Sequence, residues 1–230
     1  KAVSVVNLAL VDGSGAAENY NLTTTTLSIT GRPVNLEGTR VYDSTTVASA
    51  SDLSTISNLI GSETLILSGN GAIGNKNVGD SKSLSDVSGL SLGNGSNGGL
   101  SNNYTINEGT YTITQRPVTI SGTKVYDGAQ TVSAANITTF NNTAGGQTLT
   151  VSGNTSFLES QSVGSGKTIN VSGLTLGNGT GVASNYSLSS GTFNVTARPV
   201  TLTTNRLFDN TKNVDATNLS VTFNNLVGSE

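Results

Sequence analysis

The sequence predicts a mostly β chain, built as a tandem array of small modules of 82–84 residues that follow one another head to tail as an elongated rod. Three observations carry this expectation. Landmarks return at a fixed interval, short apolar alternations are punctuated by Gly, Asn and Ser, and the alternation reverses at every Arg-Pro step.

The interval is read from several landmarks at once. Arg32-Pro33-Val34 returns as Arg116-Pro117-Val118 and Arg198-Pro199-Val200, at offsets of 84 and 82 residues. Tyr42-Asp43, Tyr126-Asp127 and Phe208-Asp209 keep that step, as do Asn19-Tyr20, Asn103-Tyr104 and Asn185-Tyr186. Two complete modules are therefore expected over 32–115 and 116–197. The C-terminal part of a preceding module occupies 1–31 and the N-terminal part of a following one 198–230. A β-helix would show rungs of roughly 20 residues, about a quarter of this period, so folded modules are favoured over a solenoid.

Within a period, pairs such as Leu65 and Leu67, or Leu149 and Val151, alternate as strands do. From Val87 to Leu90 and Leu92, and again from Val171 to Leu174 and Leu176, a three-residue step breaks the period of two, as a β-bulge would. Ser51-Asp52 before Leu53, Ile56 and Leu59 supplies a cap and an apolar face for one short helix per module, although the matching Asn136–Thr139 is rich in β-branched residues. At the Arg-Pro steps the parity changes: Tyr111 and Ile113 face one way, Val118 and Ile120 the other. Side chains of a strand alternate faces, so the extended chain is expected to leave one core and join another there. Proline stiffens the step, and no Gly/Ser spacer softens it, which is the basis for expecting a rod.

Composition narrows the functions. Charged residues are 11%, net charge is -3, and the basic residues stand singly, so no patch exists to neutralise a row of phosphates and nucleic acid is not expected as a partner. The chain has no Cys, hence no disulfide or thiolate chemistry, and no His, the commonest metal ligand and general base. No run approaches the roughly 18 apolar residues of a spanning helix, so no membrane insertion is expected in this segment. No catalytic, cofactor-binding or metal-binding residue is expected, and the chain is read as non-enzymatic.

Asp43, Asp127 and Asp209 each follow a basic residue by three positions, Arg40, Lys124 and Arg206. One carboxylate per module falls short of the roughly six to eight oxygens around calcium, and a turn-stabilising Asp is the favoured reading. Arg32, Arg116 and Arg198 stand beside the junction prolines Pro33, Pro117 and Pro199; bridging the module interface is favoured over binding an acidic sugar. Tyr104 and Tyr186, with Tyr20, are candidate stacking platforms for carbohydrate, set against the reading that each anchors a core. Lys124 and Lys167 suggest a Lys–Asn crosslink, but the matching residues Arg40, Arg206 and Ser83 exclude one repeated in every module.

With Val125-Tyr126-Asp127-Gly128, the Arg-Pro-Val steps and the Asn-Tyr pairs, the chain resembles the YDG and related MBG-type repeats of large bacterial surface proteins, notably filamentous-haemagglutinin-like adhesins exported by two-partner secretion. The resemblance implies a semi-rigid stalk or fibre segment of an adhesin, extracellular, at the cell surface or in a biofilm matrix. Its expected partners are neighbouring modules of the same chain, with extracellular polysaccharide or other copies of itself as alternatives. Multivalent carbohydrate binding is the rival function. The triplet is intact only at Tyr126-Asp127-Gly128; Ser44 and Asn210 replace Gly, and Phe208 replaces Tyr. From Phe208, the ring and not the hydroxyl is expected to be what that position needs.

Overall fold

The computed structural model describes residues 9–21, 28–215, 217 and 219–230. It divides into two compact units. Unit 1 comprises Lys1–Gly38, Val47–Gly74 and Ser83–Tyr111; unit 2 comprises Thr39–Thr46, Asn75–Lys82 and Thr112–Glu230. Unit 2 thus includes three stretches of the first period, 39–46, 75–82 and 112–115, as well as all of the second.

The structure is mostly β, and each complete period yields the same seven strands in the same order. The first has β1 (Arg32–Val41), β2 (Val47–Ser49), β3 (Thr55–Ser57), β4 (Leu65–Ile73), β5 (Gly79–Asp86), β6 (Leu90–Asn94) and β7 (Tyr104–Thr114). The second has β8 (Arg116–Val125), β9 (Thr131–Ser133), β10 (Ile137–Asn141), β11 (Leu149–Ser156), β12 (Gly164–Ile169), β13 (Leu174–Asn178) and β14 (Tyr186–Thr196). A hairpin of β15 (Thr201–Asn205) and β16 (Ser220–Asn224) repeats the pairing of β8 with β10.

In the second period a four-stranded sheet runs β10-β8-β14-β12, and a three-stranded sheet runs β13-β11-β9. The first period has the same neighbours, but β4 and β5 also pair, at Ala72–Asp86 and Ile73–Leu84, which joins its seven strands into one sheet. In the second, the corresponding join is the single bridge between Phe157 and Ile169. The first and last strands of the second period are parallel neighbours, with Tyr186 beside Arg116 at one end and Thr196 beside Val125 at the other. The chain therefore begins the period at one end of this sheet and leaves it at the opposite end. A ten-residue strand at about 3.3 Å per residue advances it by roughly 30 Å.

The bulge expected near Ser88-Gly89 and Ser172-Gly173 is present. Leu90 faces Gly69 and Asp86 faces Ala72, so three residues of one strand span four of the other. Between Leu174–Gly153 and Ile169–Phe157 the same one-residue excess recurs. Backbones crowd at this crossing. Gly69 and Gly153 hold left-handed φ angles of 89° and 99°, and a Cβ on either would collide with the carbonyl of Gly89 or Gly173.

The core of unit 2 gathers Ile120, Val132, Phe157, Ile169, Leu174, Phe193 and Val195, with the Phe157 and Phe193 rings edge to face at 6.3 Å. Both sides of the parity change are buried: Tyr111 and Ile113, then Val118 and Ile120, are each no more than 1% exposed, and a single residue, Gln115, separates β7 from β8.

The helix expected from Ser51-Asp52 does not form; among the described residues the only helical elements are three-residue 3-10 turns. β-branched Thr55 and Ile56 instead pair with Glu37 and Leu36 of β1. The Asp52 carboxylate, free of capping duty, accepts the Tyr111 hydroxyl at 2.9 Å. At the matching position the second period has the turn Ala134–Asn136 leading into β10. Truncating a buried core ring of unit 2, Phe193→Ala, is expected to cost about 3–5 kcal/mol in denaturant unfolding, whereas Thr203→Ala on the exposed hairpin leaves stability within about 0.5 kcal/mol.

Candidate functional site

Each period carries a clamp at its leading strand. Arg32 donates from Nε to the Asn58 carbonyl at 2.7 Å and from Nη2 to Asn58 Oδ1 at 2.6 Å, and Asn58 Nδ2 donates back to the Pro33 carbonyl at 2.7 Å. Arg116, Asn142 and Pro117 repeat this at 2.6, 2.7 and 2.8 Å, and Arg198, Asn225 and Pro199 at 2.7, 2.6 and 2.7 Å. The three asparagines share a left-handed φ of 68°, 67° and 70°, a conformation Asn tolerates well. The arginine forks are thus engaged with their own period, and Arg116 reaches further, donating from Nη1 to the Tyr42 carbonyl at 3.3 Å within unit 2. The asparagine partners escaped sequence reasoning. They recur at 58, 142 and 225, the last one residue out of step with the other landmarks, and in a chain full of Asn that signal is faint.

The Asp residues hold turns, as expected. Asp43, Asp127 and Asp209 accept the backbone N–H two residues on, from Thr45, Ala129 and Thr211, at 2.9, 3.0 and 2.9 Å. Each also pairs with its basic neighbour, Arg40 at 2.7 Å, Lys124 at 2.7 Å and Arg206 at 3.1 Å. Hydrogen bonds from the Thr211 backbone and side chain hold the Asp209 carboxyl below its ordinary value. Burial pushes Asp127 up, but the Lys124 and Ala129 hydrogen bonds outweigh it and the net shift is downward. Lys124, itself buried, also donates to the carbonyls of Ala129 at 2.8 Å and Thr131 at 2.6 Å, which employs all three of its N–H groups without an Asn side chain.

The most concentrated cluster surrounds Gln147 in unit 2. The Tyr42 hydroxyl lies 3.2 Å from Gln147 Oε1 and 3.1 Å from Nε2, while the Tyr186 hydroxyl donates to Oε1 at 2.6 Å and accepts the Ala144 N–H at 3.1 Å. The two rings meet edge to face, with centroids 5.4 Å apart. Beside them Asn185, fully buried, accepts the Val78 N–H and donates to Asn77 Oδ1, both at 2.9 Å. One tyrosine thus comes from the first period and one from the second, and a single side chain holds both.

Other periods use the same grammar. Tyr126 donates to Glu230 Oε1 at 2.7 Å, as Tyr42 does to Gln147; Tyr104 donates to Glu63 and accepts the Ile60 N–H at 3.2 Å, as Tyr186 does with Gln147 and Ala144. These bonds to carboxylates raise the Tyr104 and Tyr126 phenols above their ordinary value. The hydroxyls of Tyr42 and Tyr126 are therefore used, which corrects the expectation drawn from Phe208. That ring is 89% exposed among the described residues, so its identity says little of what a seated turn needs. Tyr104 and Tyr186 are 5% and 2% exposed, so neither offers a ring face on which a sugar could stack.

The YDG domain family matches residues 27–114 and again residues 109–193. The chain belongs to the YDG domain family. It carries two YDG domains in tandem. Comparisons with curated proteins and with solved structures gave no match.

The family's triplet now has a physical reading. In the YDG turn, Tyr supplies the hydroxyl that reaches the next period, Asp closes the turn, and the third residue takes a left-handed backbone: Ser44 at φ 71°, Gly128 at 72° and Asn210 at 60°. Gly suits that position because it has no Cβ to clash, Asn tolerates it, and Ser is strained there. Replacing Ser44 by Gly restores the YDG consensus and is expected to stabilise unit 2 by about 0.5–1 kcal/mol in denaturant unfolding. Tyr42→Phe, which keeps the ring and deletes the hydroxyl, is expected to cost about 1 kcal/mol in the same assay; an unchanged midpoint would return the position to a purely apolar role.

Proposed function

We propose that this chain is a stalk or fibre segment of a secreted or surface-exposed bacterial adhesin, serving cell adhesion or a biofilm matrix as a semi-rigid spacer. The observation that carries this reading is the parallel pairing of the first and last strands, Arg116 beside Tyr186 and Val125 beside Thr196. A module so built takes the chain in at one end of its sheet and hands it on at the other, as a spacer requires. Gln115 alone separates β7 from β8, so little slack exists for bending.

The contacts gathered in unit 2 add to this reading. Bending the chain at Tyr42 would break the Tyr42–Gln147 and Asn185–Val78 hydrogen bonds and expose side chains that are 1% and 0% accessible. A cost of about 1–3 kcal/mol for each buried polar group left unpaired keeps the Tyr42 turn seated within unit 2. The likeness of YDG repeats to those of filamentous-haemagglutinin-like adhesins supports an extracellular setting reached by two-partner secretion. Low charge, and small Ser, Thr, Asn and Gly side chains, suit a polymer that must avoid non-specific contacts.

Chains lengthened by one, two and three further copies of residues 116–197 test the proposal by small-angle scattering. The maximum dimension is expected to grow by a constant increment of roughly 35–40 Å per copy, the reach of the chain from the level of Arg116 to Arg198. Growth with the cube root of mass, as in a compact globule, would overturn it.

A further inference from the structure

Tension along the chain reaches the second period at Gln115 and leaves it at Ala197, and the strands next to those residues, β8 and β14, are neighbours in one sheet. Because they run parallel, Arg116 lies at one end of the pair beside Tyr186, and Thr196 at the other beside Val125. A pull therefore draws β8 back by its first residue and β14 forward by its last. The strands are driven past each other along their length, and the pair is sheared.

We propose that this pair is a mechanical clamp, which gives the chain a further function, that of carrying tension. Shear and peeling differ in how hydrogen bonds share a force. Peeling opens a ladder at one end and breaks its bonds in turn, each under the whole force. Shear loads them together, so none gives until the strands slide as a unit. Parallel ladders space their bonds evenly, and here the ladder runs through ten residue pairs, from Tyr186–Arg116 to Thr196–Val125. The Tyr126 N–H, donating to the Thr196 carbonyl at 2.9 Å, carries it one step further.

Three features oppose sliding. β10 flanks β8 at residues 119–122 and β12 flanks β14 at residues 191–195, so the middle of the pair has a strand on either side and water cannot take over its bonds from an edge. A slip of one residue would turn the side chains of the moving strand to the wrong face, and Val118, Ile120, Phe193 and Val195 are each at most 2% exposed. The register is also notched. β14 bulges between Leu188 and Ser190, and the Ser189 hydroxyl donates to the Val118 carbonyl at 3.0 Å, so the bulge cannot travel along β8 without breaking that bond. The source of the tension rests on the spacer reading; the resistance follows from the pairing within one module.

Single-molecule stretching of the full chain tests the clamp by changing the direction of pull. The chain has no Cys, so handles attach only where one is introduced. Gln115→Cys with Ala197→Cys loads β8 and β14 from opposite ends. Gln115→Cys with Ser184→Cys loads them from the same end, where Tyr186 lies beside Arg116, and peels them apart. All three positions are exposed and lie outside the strands. Forced rupture reads the unfolding rate, and at one pulling rate the sheared chain is expected to break at forces whose distribution lies wholly above that of the peeled chain. Its main event is expected to free residues 116–196 together, a gain of about 250 Å beyond the folded span at about 3.5 Å per residue. Overlapping distributions, or a lower force in shear, would overturn the clamp and leave the scattering prediction untouched. So would release in several small events with no main one. A compact globule in scattering would overturn the spacer and leave the dependence on direction standing.

Discussion

Parallel pairing of β8 with β14 is the constraint on which the rest of the module depends. Parallel neighbours cannot be joined by a tight turn; the chain must travel the length of the strand and return before the second can form. Everything between Val125 and Tyr186 is that return path. Two of its strands, β10 and β12, flank the parallel pair, and the other three form the second sheet, closing the core around Phe157 and Phe193. Had the outer strands been antiparallel, the module would begin and finish at the same end. The succession of modules through one intervening residue would then require a reversal for which Gln115 alone offers no length.

Aromatic side chains are few, and their identities follow from their partners. Phe157 and Phe193 lie in the apolar core in edge-to-face contact. Tyr42, Tyr104, Tyr111, Tyr126 and Tyr186 each donate a hydroxyl to a Glu, Gln or Asp side chain. A buried phenol left unsatisfied costs about 1–3 kcal/mol, so the Phe-or-Tyr choice is decided by the acceptor present at each site. The acceptor itself drifts between Glu63, Gln147 and Glu230. All three can accept from two phenols, and only Gln147 does so without placing a carboxylate beside the rings.

Much of the fold was legible because it is written locally and repeated. Alternation marked the strands, the one-residue excess at Ser88-Gly89 marked the bulge, and Tyr111, Ile113, Val118 and Ile120 are buried on both sides of the parity change. Leu53, Ile56 and Leu59 misled because their spacing fits a helical face, yet Thr55 and Ile56 find a better use at the edge of β1. The parallel register of Arg116 with Tyr186 left no local mark, since pairings across 70 residues depend on side chains that neither strand declares alone. At the junction Phe208 points to a purely apolar position, whereas the Tyr42 and Tyr126 hydroxyls are both bonded. A position that bonds to the following period can be judged only where that period is seated on it.

Backbone conformation, more than side-chain identity, is what the periods hold in common. Ser44, Gly128 and Asn210 differ chemically but share a left-handed φ, as do Gly61, Gly145 and Gly228, and the clamp asparagines keep theirs within a few degrees. The turn closes beside the Tyr42 and Tyr126 hydroxyls, and at Gly145 a left-handed glycine leaves out a Cβ that would meet Ser44 Oγ at 2.6 Å. With those two bends set, the residues around them vary: Ile60, Ala144 and Val227 stand at matching positions, and Arg40, Lys124 and Arg206 all pair with the turn carboxylate. Each short side chain added at the bends would cost more than most substitutions at the floor, because left-handed backbone penalises any Cβ by about 1–2 kcal/mol before a contact is lost. Strength of the junction therefore resides in where the chain bends, and its selectivity in the one hydroxyl those bends deliver.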